Sequence, residues 1–166
     1  MSDIFEKAMK ELPNGETISQ YVDLIRQGAS VGDLLGVDSE KLEILYALAY
    51  SLYNSEKYAD AEKIFRALCV YDGTVPKFWL GLGGCVENLK RFDEAAQIYA
   101  LGSVMSGLQD PEPMFFAAIC FLKGGKKAEA IETLEYIEIM GREGNAHDLE
   151  FKERSKALVE TLKKQG

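Results

Sequence analysis

The sequence predicts an all-α protein in which three copies of a helical hairpin form a superhelix, with an N-terminal helical region before them and a C-terminal capping helix after them. Three observations support this fold class. A motif centred on alanine recurs 34 and then 35 residues apart, at Ala61, Ala95 and Ala130. Prolines suited to the start of a helix, Pro76 and Pro111, are also 35 residues apart. Between these markers, apolar residues recur with helical spacing and polar turns separate them.

Each repeat contains two predicted helices joined by a short polar turn. Their ranges are 42 to 53 with 58 to 70, 76 to 89 with 93 to 106, and 111 to 122 with 126 to 140. Residues 54–57 and 123–126 are rich in Asn, Ser, Gly and Lys, which is typical of turns. The third repeat departs most from the pattern, because Lys127 stands where the first two repeats have Tyr58 and Phe92.

The 41 residues before the repeats form the N-terminal region. Within residues 16–29, apolar side chains follow the spacing i, i+3, i+4 and i+7, which predicts an amphipathic helix. These side chains are Ile18, Tyr21, Val22 and Ile25. Because no other predicted element covers this stripe, we expect it to mediate dimerisation and the free protein to be a homodimer. Residues 3–16 receive no structural assignment.

A charged helix with a narrow apolar stripe is predicted at residues 145–164. Its apolar side chains are Leu149, Leu158, Val159 and Leu162. Such a helix suits the end of a repeat array, which needs an element with a polar outer surface. We therefore treat residues 1–166 as one domain, divided into the N-terminal region (1–41), the three repeats (42–140) and the cap (141–166).

Composition and charge exclude several classes of function. The chain has 166 residues, of which 47% are hydrophobic and 28% charged, as expected for a globular domain with one core. A net charge of −8 disfavours binding to nucleic acid and to anionic membrane surfaces. The N-terminus has no signal-peptide pattern, and no run of about 18 apolar residues occurs. We expect a cytoplasmic protein that binds neither nucleic acid nor membranes.

Residues that could carry chemistry are few and scattered. The cysteines, Cys69, Cys85 and Cys120, are far apart, and His147 is the only histidine in the sequence. This pattern favours buried thiols over a zinc site or a disulfide framework. The run Gly81–Gly84 resembles part of a dinucleotide fingerprint, but it lies inside a helical repeat, where small residues allow close helix packing. We therefore expect no active site, no metal and no cofactor.

The repeat resembles the tetratricopeptide repeat. That family combines a period of 34 residues with a bulky residue, a leucine and a small residue in the first helix, and an alanine and an aromatic residue in the second. The second repeat matches this pattern through Trp79, Leu82, Gly83, Ala95 and Tyr99. The resemblance implies that the first helices of successive hairpins line the concave surface of a superhelix.

An aromatic stripe on the first helix of the first repeat indicates a binding surface. Tyr46, Tyr50 and Tyr53 are spaced i, i+4 and i+7. The positions predicted to pack the hairpin are Leu45, Leu48, Ala49 and Leu52, so the tyrosines project from another side of this helix. Transferring the register to the other repeats adds Leu80, Gly84, Glu87, Phe115, Ile119 and Leu122. We expect this groove to bind a partner, and the alternative is that the N-terminal helix folds back and buries these side chains.

Longer stretches of the sequence resemble the class II chaperones of bacterial type III secretion. The matching stretches are 28–37, 45–50, 58–62, 65–72 and 80–83, of which 65–72 is the most specific. The resemblance implies a cytoplasmic bacterial chaperone without enzymatic activity or cofactor. Such chaperones bind a short, extended, proline-containing segment of hydrophobic translocator proteins in the concave groove and keep them soluble and competent for export. Tyr46, Tyr50 and Tyr53 match the groove positions of that family.

Other functions remain open at this point. Some members of the family also assist a transcriptional activator, and the sequence does not indicate whether this chain does. A co-chaperone of the carboxylate-clamp type would need Lys, Arg and Asn at groove positions that are mainly Tyr, Leu, Phe and Ile here. A generic tetratricopeptide adaptor for peptide binding or assembly, unrelated to secretion, is the main alternative. Near-stoichiometric co-purification of a large amphipathic client would distinguish a chaperone from such an adaptor.

Overall fold

The regular elements of the structure are helical throughout the part of the chain that it describes. The computed structural model describes residues 26, 27, 29 to 34, 36 to 105 and 107 to 164. The helices are α1 (Val31–Leu34), α2 (Ser39–Asn54), α3 (Tyr58–Tyr71), α4 (Pro76–Asn88), α5 (Phe92–Met105), α6 (Glu112–Lys123), α7 (Lys127–Tyr136) and α8 (Ala146–Lys164). A short 3-10 turn, Ile137–Ile139, continues α7. The all-α fold class is confirmed, and the helix bounds agree with the predicted ranges to within a few residues.

Local sequence signals explain where the helices begin. The side chain of Asp38 accepts a hydrogen bond of 2.9 Å from the backbone N–H of Lys41, so α2 begins at Ser39 rather than at the predicted residue 42. Pro76 is the first residue of α4, where the missing N–H of proline costs no helical hydrogen bond. Pro111 immediately precedes α6.

The turn inside each hairpin has the same backbone geometry in all three repeats. Glu56, Lys90 and Gly125 occupy equivalent positions and have φ angles of 59°, 64° and 77°. In each turn the next residue donates its backbone N–H to a carbonyl in the last turn of the first helix, at 2.9, 3.1 and 2.8 Å. These bonds are those of the Schellman motif, which ends a helix by satisfying its free carbonyls. In the polar turns predicted at 54–57 and 123–126, the chain therefore reverses direction with this defined backbone geometry.

Consecutive helices pack in chain order, so α2 with α3, α4 with α5 and α6 with α7 form the three hairpins. The first helices, α2, α4 and α6, line one face, which we call the inner face because it is the concave face of a tetratricopeptide superhelix. The second helices, α3, α5 and α7, form the opposite, outer face. Helix α8 packs against α7, the 3-10 turn and α6, as expected for a cap.

Two apolar clusters form the core. The first joins the first two hairpins to α6, and its largest fully buried side chains include Phe65, Leu68 and Phe78. The second joins the third hairpin to α8 through Phe115, Leu134, Ile137, Met140, Phe151 and Leu162. The predicted burial of Cys69, Cys85 and Cys120 is confirmed, and burial raises the pKa of each thiol to about 12.

The predicted packing role of Leu48 is wrong. Its side chain is 50% exposed, although the equivalent residue of the second repeat, Leu82, is only 3% exposed. The difference has a physical cause: the first hairpin precedes Leu82 in the array and covers it, whereas no hairpin among the described residues precedes α2 to cover Leu48. Ala49 of the same helix is fully buried, as predicted.

None of the described helices combines the length and the apolar character needed to cross a bilayer.

Candidate peptide-binding groove

The three predicted tyrosines line one cavity on the inner face. Tyr46, Tyr50 and Tyr53 project from successive turns of α2, and the cavity has a volume of about 230 Å³. The rings of Tyr46 and Tyr50 are stacked, with centroids 6.1 Å apart and an interplanar angle of 17°. Tyr50 is 51% exposed, whereas Tyr46 and Tyr53 are partly buried. The tyrosine stripe is thus the wall of a preformed, open pocket.

Residues of α3 and α4 line the rest of the cavity. They are Phe65, Lys77, Leu80 and Gly81. The ring of Tyr46 lies 5.9 Å from that of Phe65, in an edge-on arrangement, and also 5.9 Å from that of Phe78. Both phenylalanines are buried, so the core fixes the position of Tyr46. A rigid aromatic wall of this kind is suited to receiving an apolar side chain.

A lysine at the edge of the cavity was not predicted. The Nζ of Lys77 lies 4.4 Å from the ring centroid of Tyr46, which is within the range of a cation–π contact. The same ammonium group lies 2.6 Å from Oε1 of Glu43. Glu43 and Lys77 are 34 residues apart and so occupy equivalent positions in adjacent repeats. The sequence therefore contained a signal for this ion pair, since an acidic and a basic residue stand one repeat period apart.

The other end of the groove is polar. Asn88 donates a hydrogen bond of 3.2 Å to the hydroxyl of Tyr53 and one of 2.8 Å to the carbonyl of Gly84. Glu87 accepts hydrogen bonds from the hydroxyl of Tyr99, at 3.0 Å, and from Nζ of Lys123, at 2.6 Å. The bond to Glu87 raises the pKa of Lys123, and burial raises that of Tyr53. Glu87 thus lies in a polar cluster at the border of the apolar cavity.

Gly84 lies directly beneath Tyr53. A Cβ atom at this position would be 3.3 Å from the Tyr53 ring and from its hydroxyl oxygen. The glycine therefore allows the ring to settle against α4. Its predicted place in the groove wall is compatible with this contact, although it contributes no side chain.

Phe115 is not available to a partner in this structure, contrary to the sequence expectation. It is only 5% exposed, with its ring centroid 5.4 Å from that of Phe151 and the guanidinium of Arg154 4.6 Å above it. Phe151 and Arg154 both belong to α8, whose path the register argument could not include. Ile119 and Leu122 are partly buried and pack against the same cluster. Their role in a groove remains a prediction.

The predicted dimerisation residues Ile18, Tyr21, Val22 and Ile25 lie outside the described residues. The N-terminal helix, which would cover the groove in the alternative interpretation, also lies mostly outside the described residues.

The fold also brings together a cluster that the sequence did not reveal. Nε2 of His147 lies 3.4 Å from an Oε2 atom of Glu112 and 3.7 Å from Oδ1 of Asp110. Burial raises the pKa of Glu112, with Asp110 adding to the effect. His147 is the second residue of α8, Asp110 lies just before α6 and Glu112 begins it, so this cluster joins the starts of the two helices.

Together, the repeated hairpins and the aromatic pocket define a tetratricopeptide-repeat protein with an open groove on its inner face. The tetratricopeptide-repeat family model matches residues 46–104. The low calcium response locus protein H of Yersinia pestis is 37% identical over 142 residues, which cover 84% of this chain and 82% of that protein.

Solved structures give the same relationship. The type III secretion translocator chaperone SycD of Yersinia enterocolitica is 36% identical, with a TM-score of 0.70 over 81% of this chain and 98% of its own. SycD in complex with a peptide of the translocator YopD gives a TM-score of 0.67 at 36% identity, over 78% of this chain and 97% of its own. The chain belongs to the family of type III secretion translocator chaperones.

Proposed function

We propose that this protein is a chaperone that holds an extended, apolar segment of a type III secretion translocator in its inner-face groove. The observation that carries the proposal is the open cavity of about 230 Å³ between the tyrosines of α2 and Leu80 of α4. Support also comes from SycD, whose structure with a peptide of YopD has the same fold. The proposed ligand of the aromatic pocket is therefore an extended, apolar protein segment.

The pocket suits one large apolar side chain of an extended segment. Its walls are aromatic, its shape is held by the buried rings of Phe65 and Phe78, and little of it has to rearrange on binding. A preformed pocket reduces the entropy lost on binding, and an extended segment gains mainly by inserting alternate side chains. A proline in the segment would further restrict its unbound conformations.

The polar end of the groove limits how far the apolar contact extends. An apolar side chain placed on the Glu87–Lys123 pair would have to displace water from two charged groups, which costs free energy. The hydroxyl of Tyr53 and the amide of Asn88 can instead pair with the polar backbone of the segment. We expect the segment to place its apolar anchor beside Tyr50 and a polar group beside Glu87.

Holding this segment would keep a membrane-seeking translocator from aggregating or inserting before export. The role belongs to the bacterial cytoplasm and needs no catalysis and no cofactor. The peptide is held by burial and shape, because the groove offers an aromatic pocket and a short polar border.

Replacing Tyr50 with alanine tests the proposal. Because the ring is half exposed in free protein, we expect little change in the free energy of unfolding. Truncating an aromatic anchor commonly costs about 2 to 4 kcal/mol of binding, or roughly 30- to 1000-fold in affinity. The measurement is the affinity for a peptide of the translocator that co-purifies with the wild-type chain, together with the urea midpoint of the same variant.

Leu68→Ala is the control, because Leu68 is fully buried on α3 and does not line the cavity. This core truncation should cost about 2 to 5 kcal/mol of stability and leave the affinity of the folded fraction unchanged. Normal peptide affinity in Tyr50→Ala would contradict the groove assignment.

A further inference from the structure

Three side chains of types that bind metal ions meet where α8 packs on α6. Asp110 lies just before α6, Glu112 is its first residue and His147 is the second residue of α8. Each offers one donor atom, an imidazole nitrogen or a carboxylate oxygen, and these atoms all lie within 4.8 Å of one another. The third hairpin separates Asp110 from His147 in the sequence. The sequence pattern, which predicted no metal site, therefore could not show this cluster.

The distances within the cluster fit a shared ion better than a direct hydrogen bond. Nε2 of His147 lies 3.4 Å from Oε2 of Glu112 and 3.7 Å from Oδ1 of Asp110. Both distances exceed the range of about 2.7 to 3.2 Å for an N–H···O hydrogen bond. Two ligand atoms of a tetrahedral ion with bonds of about 2.0 to 2.1 Å are about 3.3 to 3.4 Å apart. Small movements of these side chains would therefore suffice to bind an ion between them.

Neighbouring groups orient the three side chains. The carboxylate of Asp110 accepts a hydrogen bond of 2.9 Å from the backbone N–H of Glu112. The side-chain oxygen of Asn145 accepts a backbone N–H of the first turn of α8, at 3.1 Å, and so fixes the start of this helix. The imidazole of His147 packs edge-on against the ring of Phe151, with centroids 5.0 Å apart. Surroundings that hold the ligands in place strengthen metal binding.

The negative charge of the two carboxylates is only partly offset by nearby cations. Burial, and then the charge of Asp110, raise the pKa of Glu112, although His147 and Arg154 act in the opposite direction. Arg142 also lies near Asp110, but it donates its hydrogen bonds to a buried carboxylate of α8. The side chains of Asp110 and Glu112 are only 23% and 26% exposed, so water screens their repulsion incompletely. A divalent cation between them would remove this repulsion.

We propose that Asp110, Glu112 and His147 bind one divalent transition-metal ion, and that zinc is the ion that fits best. One imidazole and two carboxylate oxygens suit zinc, whereas calcium and magnesium prefer oxygen ligands alone. Water completes the coordination, because three protein ligands leave a position open. The ion joins the start of α6 to the start of α8 and holds the capping helix against the third hairpin. This structural role does not depend on what the groove binds.

Zinc titration of the full-length, untagged protein tests this site. His147 is the only histidine of the chain, so a single set of imidazole signals in NMR spectra reports on coordination. The three cysteines are buried and the pKa of each thiol is raised, so thiolates do not compete for zinc. The variants are His147→Ala and Glu112→Gln. Glu153→Gln is the matched control, because Glu153 is an exposed acid elsewhere on α8. Isothermal titration calorimetry measures stoichiometry and affinity.

We expect wild type and Glu153→Gln to bind one zinc ion per chain, with a changed Nε2 resonance of His147 and a raised Tm. His147→Ala and Glu112→Gln should bind zinc at least about 10- to 100-fold more weakly. Because a ligating imidazole must be unprotonated, wild type should bind zinc more weakly at about pH 5.5 than at about pH 7.5. An excess of magnesium should leave zinc binding unchanged.

The absence of saturable zinc binding by wild type would overturn the inference. A His147 resonance that responds to pH but not to zinc would indicate an ordinary ion pair of the protonated imidazole and would also overturn it. Equal zinc affinity in wild type and His147→Ala would assign the bound ion to other surface carboxylates, with the same consequence. If His147→Ala fails to fold by circular dichroism, the wild-type imidazole resonance and the Glu112→Gln affinity decide the question.

Discussion

At the scale of single residues, glycines and aromatic rings fit together between the helices. A Cβ atom at Gly83 would lie 2.4 Å from the ring of Tyr99, and one at Gly102 would lie 2.5 Å from the side chain of Trp79. Tyr99 is buried and its hydroxyl is bonded to Glu87, so its ring has little room to move. The absence of a side chain at Gly83 is therefore what allows α4 and α5 to approach.

We predict that Gly83→Ala lowers the free energy of unfolding by about 1 to 3 kcal/mol, because the added methyl group overlaps the Tyr99 ring. Without such a clash, alanine should stabilise a helix interior by about 1 kcal/mol relative to glycine. Urea denaturation followed by circular dichroism measures the change.

Gly84→Ala is the matched control, since it adds the same methyl group one position along the same helix. Its nearest contact, 3.3 Å, is with the ring of Tyr53, which is partly exposed and can shift. We expect a stability close to that of wild type. Equal losses in both variants would mean that the Tyr99 contact is not the cause.

The repeat register predicted some of the groove residues but not the burial of others. Tyr46, Tyr50 and Leu80 were predicted together because their repeat register is visible in the sequence, and the structure places them around one cavity. The register could not foresee that Leu48 is half exposed while Leu82 is buried, since burial depends on position within the array. It also could not foresee that α8 covers Phe115, because α8 lies outside the repeat pattern.

At the scale of elements, α8 is attached through a buried carboxylate as well as through apolar packing. Asp148 is buried and accepts hydrogen bonds from the side chain of Arg142, at 2.9 Å, and from its backbone N–H, at 2.7 Å. These bonds lower the pKa of Asp148 from 3.8 to about 2. The charged carboxylate thus fixes the loop that connects the third hairpin to α8.

This ion pair predicts a pH dependence of stability. The pKa of Asp148 is lower in the folded protein than in the unfolded chain. The stability that its charged form contributes is therefore complete above the unfolded pKa of 3.8 and is lost as the pH falls toward 2. We expect Asp148→Asn to lower the free energy of unfolding by about 1 to 2 kcal/mol near neutral pH. This loss is smaller than the full pKa shift of Asp148 implies, because Arg142 is half exposed. The difference between wild type and variant should shrink toward zero on acidification.

Urea midpoints of both proteins, from about pH 5 down to about pH 2.5, measure this difference. Glu150→Gln, an exposed site on α8, serves as the control and should follow wild type throughout. A difference between wild type and Asp148→Asn that stays constant with pH would show that the charge of Asp148 is not what stabilises the loop.

At the scale of the whole molecule, the repeat period determined most of what could be predicted. The three hairpins follow from the recurrence of Ala61, Ala95 and Ala130, and the equivalent turns at Glu56, Lys90 and Gly125 repeat the same geometry. The exposed side chains of Val70, Val104 and Ile139 have the same period, but the sequence alone did not distinguish exposed from buried apolar residues at the ends of the second helices. Burial depends on which helix lies opposite, and that is a property of the assembled superhelix.

The N-terminal region carries a prediction about the assembly. We expect the free protein to self-associate through the apolar stripe of Ile18, Tyr21, Val22 and Ile25, because an exposed apolar helix face lowers its free energy by pairing. Removing residues 1–30 should convert the free dimer to a monomer in sedimentation velocity. The client-free protein must be used, since a bound translocator competes with dimerisation in this account. An unchanged oligomeric state after truncation would place the dimer interface elsewhere.

The central claim is that the inner-face groove holds one segment of a translocator, and photo-crosslinking from position 50 tests it most directly. Tyr50 is replaced with p-benzoylphenylalanine, and the variant is co-expressed with the translocators of its own secretion system and irradiated. The same replacement at Leu149, which is exposed on α8, is the control. The account predicts that position 50 crosslinks to one short, apolar, proline-containing segment of a translocator and that position 149 does not. Crosslinks from position 149 as abundant as those from position 50, or none from position 50 although the translocator co-purifies, would contradict it.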